Sequence, residues 1–462
     1  MKGLGDFQAP EPMMAADGGK QGEDQLLEIA QRVCAAATRA GADCADASVI
    51  RSHEVVVELE KSSIASVETV HSEHLSVRAI VGGGRGVVHV RGLDAERAAA
   101  AAAQAAELAR RSTPDPDFVA LPGPEPAEEV TGLFDPAVAA LTVNDIAGLA
   151  ASNIEAARSV AGEALLAGTI AAFARESALA NSLGVARTQR SAFLSGGMFV
   201  IIRRGDDVGS YYDFDVGRQL ADVAVGELSV EAARWAARFL GARRISSKRM
   251  ALVLGPLASF SFLRGLAANC NAESIQRERS FLVGARGREI GSPHLTLTDD
   301  GLVPRGVSSG GYDGEGAPRR RVTLIRRGVF EGLLHNAYTA NKAGEPNTGH
   351  GSQSGGIAPT NIQVELGERT ATELIADTEE GIYINAGDLA ANPASGDISS
   401  SVDFGFKIER GELAYPVTNT MVAGHVLEFL KKIDAVSSDC RREPGNMLPT
   451  IRIQDVQVAG SG

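Results

Sequence analysis

Apolar residues first fall into a helical rhythm. In EDQLLEIAQRVCAAATRAG, Leu26, Leu27, Ile29, Ala30, Val33, Cys34 and Ala37 recur at three- and four-residue intervals, and Gly41 supplies a C-terminal stop. The rhythm then changes to two. VVVELE, SIASVETV, HLSVRAIV and GVVHV alternate apolar and polar positions and predict strands, and Gly82-Gly83-Gly84-Arg85-Gly86 between the last two predicts the turn of a meander. Asp94 stands at the start of an alanine-rich stretch that predicts a helix to about Arg111. The residues from Pro114 to Pro126 are a linker by composition.

The plan then recurs. A helix is predicted over about Val143–Arg158 after Thr142, with strands in ALLAGTIAAFARESALANS and GVARTQRSAFLSGGMFVII. A turn at Arg204-Gly205-Asp206-Asp207 leads into GSYYDFDV and a closing helix over about Ser229–Leu240. Both segments read as helix, meander, helix, a likeness of architecture with little residue identity. From Lys248 the pattern changes again. One apolar strand, RMALVLG, precedes a predicted helix over about Pro256–Asn271, and most of the remainder reads as strand and turn. Hairpins are predicted to turn at Arg327-Gly328 and Arg410-Gly411, a helix over Val422–Lys431, and a final strand pair ending in TIRIQDVQVAG.

The predicted class is therefore α+β, with N-terminal helix–meander–helix segments followed by a mainly antiparallel sheet or barrel carrying a few helices. The boundaries drawn are a disordered tail over 1–22, an α/β segment over 23–112, a proline-rich linker over 113–135, a second α/β segment over 136–245 and a β-rich domain over 246–462.

Charge narrows the partners. With 45 Lys and Arg against 58 Asp and Glu in 462 residues, the net charge is −13, so the surplus of cations that nucleic acid or an anionic membrane demands is missing. Cys34, Cys44, Cys270 and Cys440 form neither a CxxC nor a disulfide-like framework, the first twenty residues lack the apolar core of a signal peptide, and no apolar run is long enough for a membrane helix. A reducing cytoplasm is the expected home.

Catalytic chemistry is sparse. No pair of the eight histidines is spaced as in the HExxH motif; His53-Glu54 is followed by Val57 in a strand-like context. His71 and His74, three apart on a strand, are predicted to face opposite sides. Asp299, Asp300, Asp313 and Glu315 surround a Gly-rich loop that ends in Arg319-Arg320-Arg321. Carboxylates so placed could hold a hard cation or form a general acid/base pair, or they could cap turns and pair with the arginines. Ser308-Ser309-Gly310-Gly311 is not a nucleophile elbow, and Cys270 reads either as a reactive thiol or as a buried structural one.

The stretches SVRAIVGGGRGVV and TLTDDGLVPRGVSSGGYDGEGAPRRRVTLIRRGVFEGLLHNAYTA, with Thr348–His350, Pro359–Asn361, NPASGDIS and IERGELAYPV, carry a resemblance in their order and spacing. Over roughly Glu23–Gly460 the sequence resembles the TldD/PmbA family, and within it the PmbA (TldE) branch. In that family the TldD-type member is a zinc metalloprotease whose HExxxH helix and C-terminal cysteine hold the metal. The TldE-type member shares the fold without the ligands, and the two form a heterodimer that cleaves extended or unfolded peptides.

The resemblance puts Arg264 and Asn269, in Leu263-Arg264-Gly265-Leu266-Ala267-Ala268-Asn269, at about the two histidine positions, and Cys440 lies upstream of the expected cysteine without its flanking glycines. An arginine stays charged and repels Zn²⁺. No cofactor is therefore expected in this chain, with zinc on a TldD-type partner, and Asp313, Glu315, His350 and Asn361 are nominated as peptide-site residues. The functions this implies are a subunit of a two-component peptidase, with a homodimer left open as the form without a partner, or a non-catalytic peptide-binding or regulatory module. An independent hydrolase built on the acidic cluster or Cys270 is the third alternative.

Overall fold

The computed structural model describes residues 19–461; the tail expected over 1–22 falls mostly outside them. Helix α1 spans Gly19–Arg39, and Gly41, at φ +93°, ends its last turn. Strands β1 (Cys44–Glu60), β2 (Ser63–Val81) and β3 (Gly84–Arg91) form the first meander. Asp94 caps α2 (Ala95–Arg111), its carboxylate accepting from the N–H groups of Glu96 and Arg97. A short helix α3 (Pro136–Ala139) and α4 (Val143–Val160) follow, the latter opened by a reciprocal capping box between Thr142 and Asp145. The second meander is β4 (Leu165–Asn181), β5 (Ala186–Arg204) and β6 (Asp207–Gly217), closed by α5 (Leu228–Arg238).

The two meanders are one sheet. Its order is β3-β2-β1-β4-β5-β6, with β1 and β4 antiparallel at the centre. Odd-numbered β1 residues, Ala45 to Val49 and Val55 to Leu59, face the helices: α1 and α2 cover one half, α4 and α5 the other. The even-numbered face carries Asp46 toward the C-terminal region. Residues 113–135 have no regular structure, but they are no free linker. Asn181 Nδ2 donates to Pro122 O (2.8 Å), Arg187 to Glu125 O, Tyr338 Oη to Asp115 (3.3 Å) and Ala192 N to Leu133 O (2.9 Å), which straps the segment across the molecule.

The rest comprises β7 (Lys248–Leu254), α6 (Pro256–Asn269), α7 (Ala272–Gln276), β8 (Leu297–Asp300), β9 (Arg321–Arg326), β10 (Val329–Phe330), α8 (Ala337–Ala343), β11 (Ile362–Val364), α9 (Ala371–Ala376), β12 (Glu380–Ala386), β13 (Asp397–Ser401), β14 (Phe404–Glu409), β15 (Glu412–Pro416), β16 (Thr420–His425), α10 (Val426–Lys431), β17 (Ile433–Glu443) and β18 (Asn446–Gly460). Eight of these strands form a sheet ordered β13-β16-β18-β7-β12-β14-β15, with β17 paired to β18; only β7 and β12 run parallel. It is open at β13 and β15, so the barrel alternative does not hold. Four strands, β10-β9-β8-β11, make a second sheet.

Both predicted hairpins turn where expected, with Arg327 and Gly328 at φ 46° and 83° and Arg410 and Gly411 at 52° and 79°. Two elements differ. The helix predicted over Val422–Lys431 begins only at Val426, because Met421–Ala423 are held between β13 and β18 as ladder partners. The helix predicted to Asn271 stops at Asn269, and Asn271 instead caps α7 through Glu273 N and Ser274 N.

Candidate functional site

A buried polar seam runs from the N-terminal sheet to α6. It begins where Asp46 on β1 faces Arg78 on β2 in register. Arg78 Nε donates to Asp46 Oδ2 (2.7 Å), and Nη1 donates to Glu315 Oε1 (3.0 Å) from the loop before β9. Gln353 Nε2 closes the second lobe of Asp46 (2.6 Å), and Glu315 Oε2 accepts from Ala337 N (2.9 Å) at the start of α8. Asp46, Arg78 and Glu315 are 1%, 4% and 2% exposed. Burial opposes the Arg78 charge, but the two carboxylates outweigh it and its pKa is raised; burial likewise raises Asp46 against the pull of Arg78.

Asp313 continues the seam. Its Oδ1 accepts from Glu315 N (2.9 Å) and Ala317 N (3.0 Å), and its Oδ2 from Gly351 N (2.7 Å). Burial, helped by the Glu315 charge, pushes its pKa up to about 6. Next to Gly351, His350 Nε2 lies 2.7 Å from Asp299 Oδ1 and Nδ1 lies 2.9 Å from Thr348 Oγ1. Asp299 also accepts from Thr360 N (2.6 Å) and from the Thr360 hydroxyl, and Thr360 O accepts from Arg264 Nη1 (3.4 Å) on α6. Asn361 ties down neighbouring loops: Nδ2 donates to Asp300 O (2.6 Å) and Ser309 Oγ (2.8 Å), and Oδ1 accepts from Ser308 N (3.2 Å).

Of the nominated residues, Arg264, His350, Asn361, Asp313 and Glu315 are thus strung along one network. Asn269 stays apart, its amide donating to Gly265 O (2.8 Å) in its own helix. The acidic loop is a set of turn and backbone acceptors. Its main cation is Arg78; of the expected run, Arg321 lies 3.8 Å from Asp300, and Arg319 donates to Tyr312 O (3.2 Å) and Gly349 O (3.2 Å), where its charge acts on Asp313 and Asp299. Cys270 is fully buried with its thiol near Leu266 O (3.5 Å), and burial followed by the Asp299 charge holds it protonated, so the reactive-thiol alternative fails. Asp46, Arg78 and Gln353 were missed. A charge at Arg78 within the apolar end of β2, Val77–Val81, was the available signal. His71 and His74 do face opposite sides, but His71 stacks on His53 with Nδ1 atoms 3.0 Å apart, a pair the spacing argument did not reach.

A zinc ion finds no fitting donor set on α6. Arg264 presents a permanent cation and Asn269 an amide committed to its own helix, and among the described residues no three His, Cys, Asp or Glu side chains are grouped to hold a metal. No metal-dependent step is assigned to this chain.

The family model for the PmbA/TldA metallopeptidase C-terminal domain matches residues 247–460, and that for PmbA/TldA metallopeptidase domain 1 matches residues 45–109. The chain is 24% identical to the metalloprotease PmbA of Escherichia coli O157:H7 over 284 residues, 61% of each protein. It is 22% identical to a metalloprotease PmbA homolog of Haemophilus influenzae over 462 residues, 96% of this chain and 98% of that one. The crystal structure of TldE from Thermococcus kodakarensis shares its fold, with a TM-score of 0.86 and 24% identity over 93% of this chain and 99% of that chain. The chain belongs to the TldD/PmbA metallopeptidase family.

Proposed function

We propose that this chain is the TldE-type subunit of a two-component peptidase, paired with a zinc-bearing TldD-type partner. Together the two would cleave extended or unfolded peptides, including the removal of leader peptides. The observation that carries the reading is Arg264, a cation on α6 bonded to Thr360 O at 3.4 Å, at about the position where the metal-binding branch has a histidine. Zinc, water activation and the general-base Glu are then the partner's to supply. Four free cysteines, three of them buried, accord with a cytoplasmic home.

Co-expression with a TldD-type protein tests this. The expected result is a stable complex whose peptide cleavage is abolished by chelators. Chelator-resistant cleavage by this chain alone would overturn it, and a complex whose cleavage rate equals that of the partner alone would make the chain a regulatory module.

A further inference from the structure

Strand β6 pairs with β5 only from Leu194 onward, where Leu194 faces Gly217. The preceding residues, Ala186–Phe193, pair with β4 on one side and have no strand on the other. The strap takes that slot at one point, where Ala192 N donates to Leu133 O (2.9 Å). Residues of one parity turn their N–H and C=O to the same edge, and the β4–β5 register is unbroken from Ala186 to Ile201, so Thr188 and Arg190 face outward beside Ala192. Among the described residues, no protein group bonds the backbone N–H or C=O of either.

Opposite this edge runs the strap, Ala127–Phe134, and between them lies a cleft of about 670 Å³. Arg190 Nη2 and Tyr312 Oη are sealed beneath the cleft floor, the latter beside the Ser177 hydroxyl, so the groups the cleft presents are those of the strand edge. Unpaired strand N–H and C=O groups facing a cleft ask for a second backbone that can pair with them. Glu23, Glu128 and Glu129 also line the cleft, and among the described residues none of them makes a salt bridge, although the Arg190 charge acts on Glu23. Both Arg187 and Arg190 are already engaged, the first by Glu125 O and Gly316 O, the second by Glu176 at 3.4 Å and the Phe134 ring at 3.9 Å.

We infer that the cleft takes an extended, basic peptide as an added strand. Its backbone pairs with Thr188 and Arg190, and its Lys or Arg side chains meet Glu23, Glu128 and Glu129. Five residues of strand, Ala186–Arg190, set the length of the paired stretch. The inference shares the peptide of the proposed function but needs no partner and no cleavage, so the two can fail separately.

The test is fluorescence anisotropy of a labelled Lys-Thr-Val-Thr-Lys peptide with the full chain alone. Thr188→Pro removes an N–H that faces the cleft and leaves the β4 ladder intact, so binding should weaken at least about tenfold. A peptide N-methylated at alternate residues should lose binding to the same degree, with the protein unchanged. Glu128→Lys with Glu129→Lys should weaken the basic peptide and favour an acidic one. Undetectable binding, or equal binding of the methylated peptide or by Thr188→Pro, would overturn the inference. So would self-association of the chain that Thr188→Pro abolishes, because the edge would then belong to a second copy.

Discussion

Arg78 and Glu315, 237 residues apart in the chain, meet at 3.0 Å with both side chains buried, and Arg78 binds Asp46 at the same time. One guanidinium therefore fastens the six-stranded sheet to the loop that feeds β9 and α8. A cation between two buried carboxylates is far more costly to remove than to replace, since each carboxylate left behind is an unpaired charge away from water.

Replacing Arg78 by Ala should therefore cost about 3–5 kcal/mol, read as a lower midpoint in urea unfolding. Gln at both Asp46 and Glu315 in the same background should recover part of the loss, because the stranded charges are gone. No recovery would mean that the seam contributes shape and not electrostatics.

Stability should depend on pH through Asp313. Its folded pKa, about 6, lies above the ordinary 3.8, so the folded state holds this proton more tightly than the unfolded chain. The stabilisation is full below pH 3.8, declines as pH rises, and is lost above about 6. Asp313→Asn should remove roughly 2–3 kcal/mol of difference between pH 4 and pH 7 when the unfolding curves of variant and parent are subtracted. Parallel curves would contradict the assignment.

Thiol chemistry offers a third check. Cys34, Cys44 and Cys270 are buried and Cys440 is partly exposed. Under native conditions a thiol-reactive reagent should modify Cys440 first, and Cys270→Ala should leave peptide cleavage by the complex unchanged. Fast native labelling of Cys270, or lost cleavage in that variant, would restore a role for the thiol.

The glycine run after β2 makes two different demands. Gly82 and Gly83, at φ 56° and 82°, make the turn, whereas Gly86 lies within β3 where a Cβ would overlap the Ala105 carbonyl of α2. Gly86→Ala should thus destabilise by about 1–3 kcal/mol through overpacking, while Gly82→Asn should be tolerated at its left-handed position. Thermal unfolding of the two variants compares them directly.

Local signals in the sequence were sound where one short pattern decides the outcome. The Asp94 cap, the Thr142 capping box and the Arg-Gly hairpins are set by neighbours two or three residues away. What stayed hidden depends on register. The turn at Lys61 and Ser62, together with a bulge at Glu58 and Leu59, is what sets Asp46 against Arg78, and nothing short-range reports it. The joining of the two meanders through β1 and β4 likewise rests on pairs more than a hundred residues apart, and the strapping of the proline-rich segment on contacts 59, 62 and 223 residues apart. His350 and Asn361 were legible as marked positions, but their partners, Asp299 on β8 and Ser309 in the loop that follows it, are brought near only by the fold.

The division of labour between two subunits is tested most directly by zinc content. The chain should be purified alone and in complex with a TldD-type partner, and each sample subjected to elemental analysis after removal of loosely bound metal. The account predicts no stoichiometric zinc in the chain alone and about one zinc per complex with the partner. One zinc per chain in the sample without a partner would contradict it.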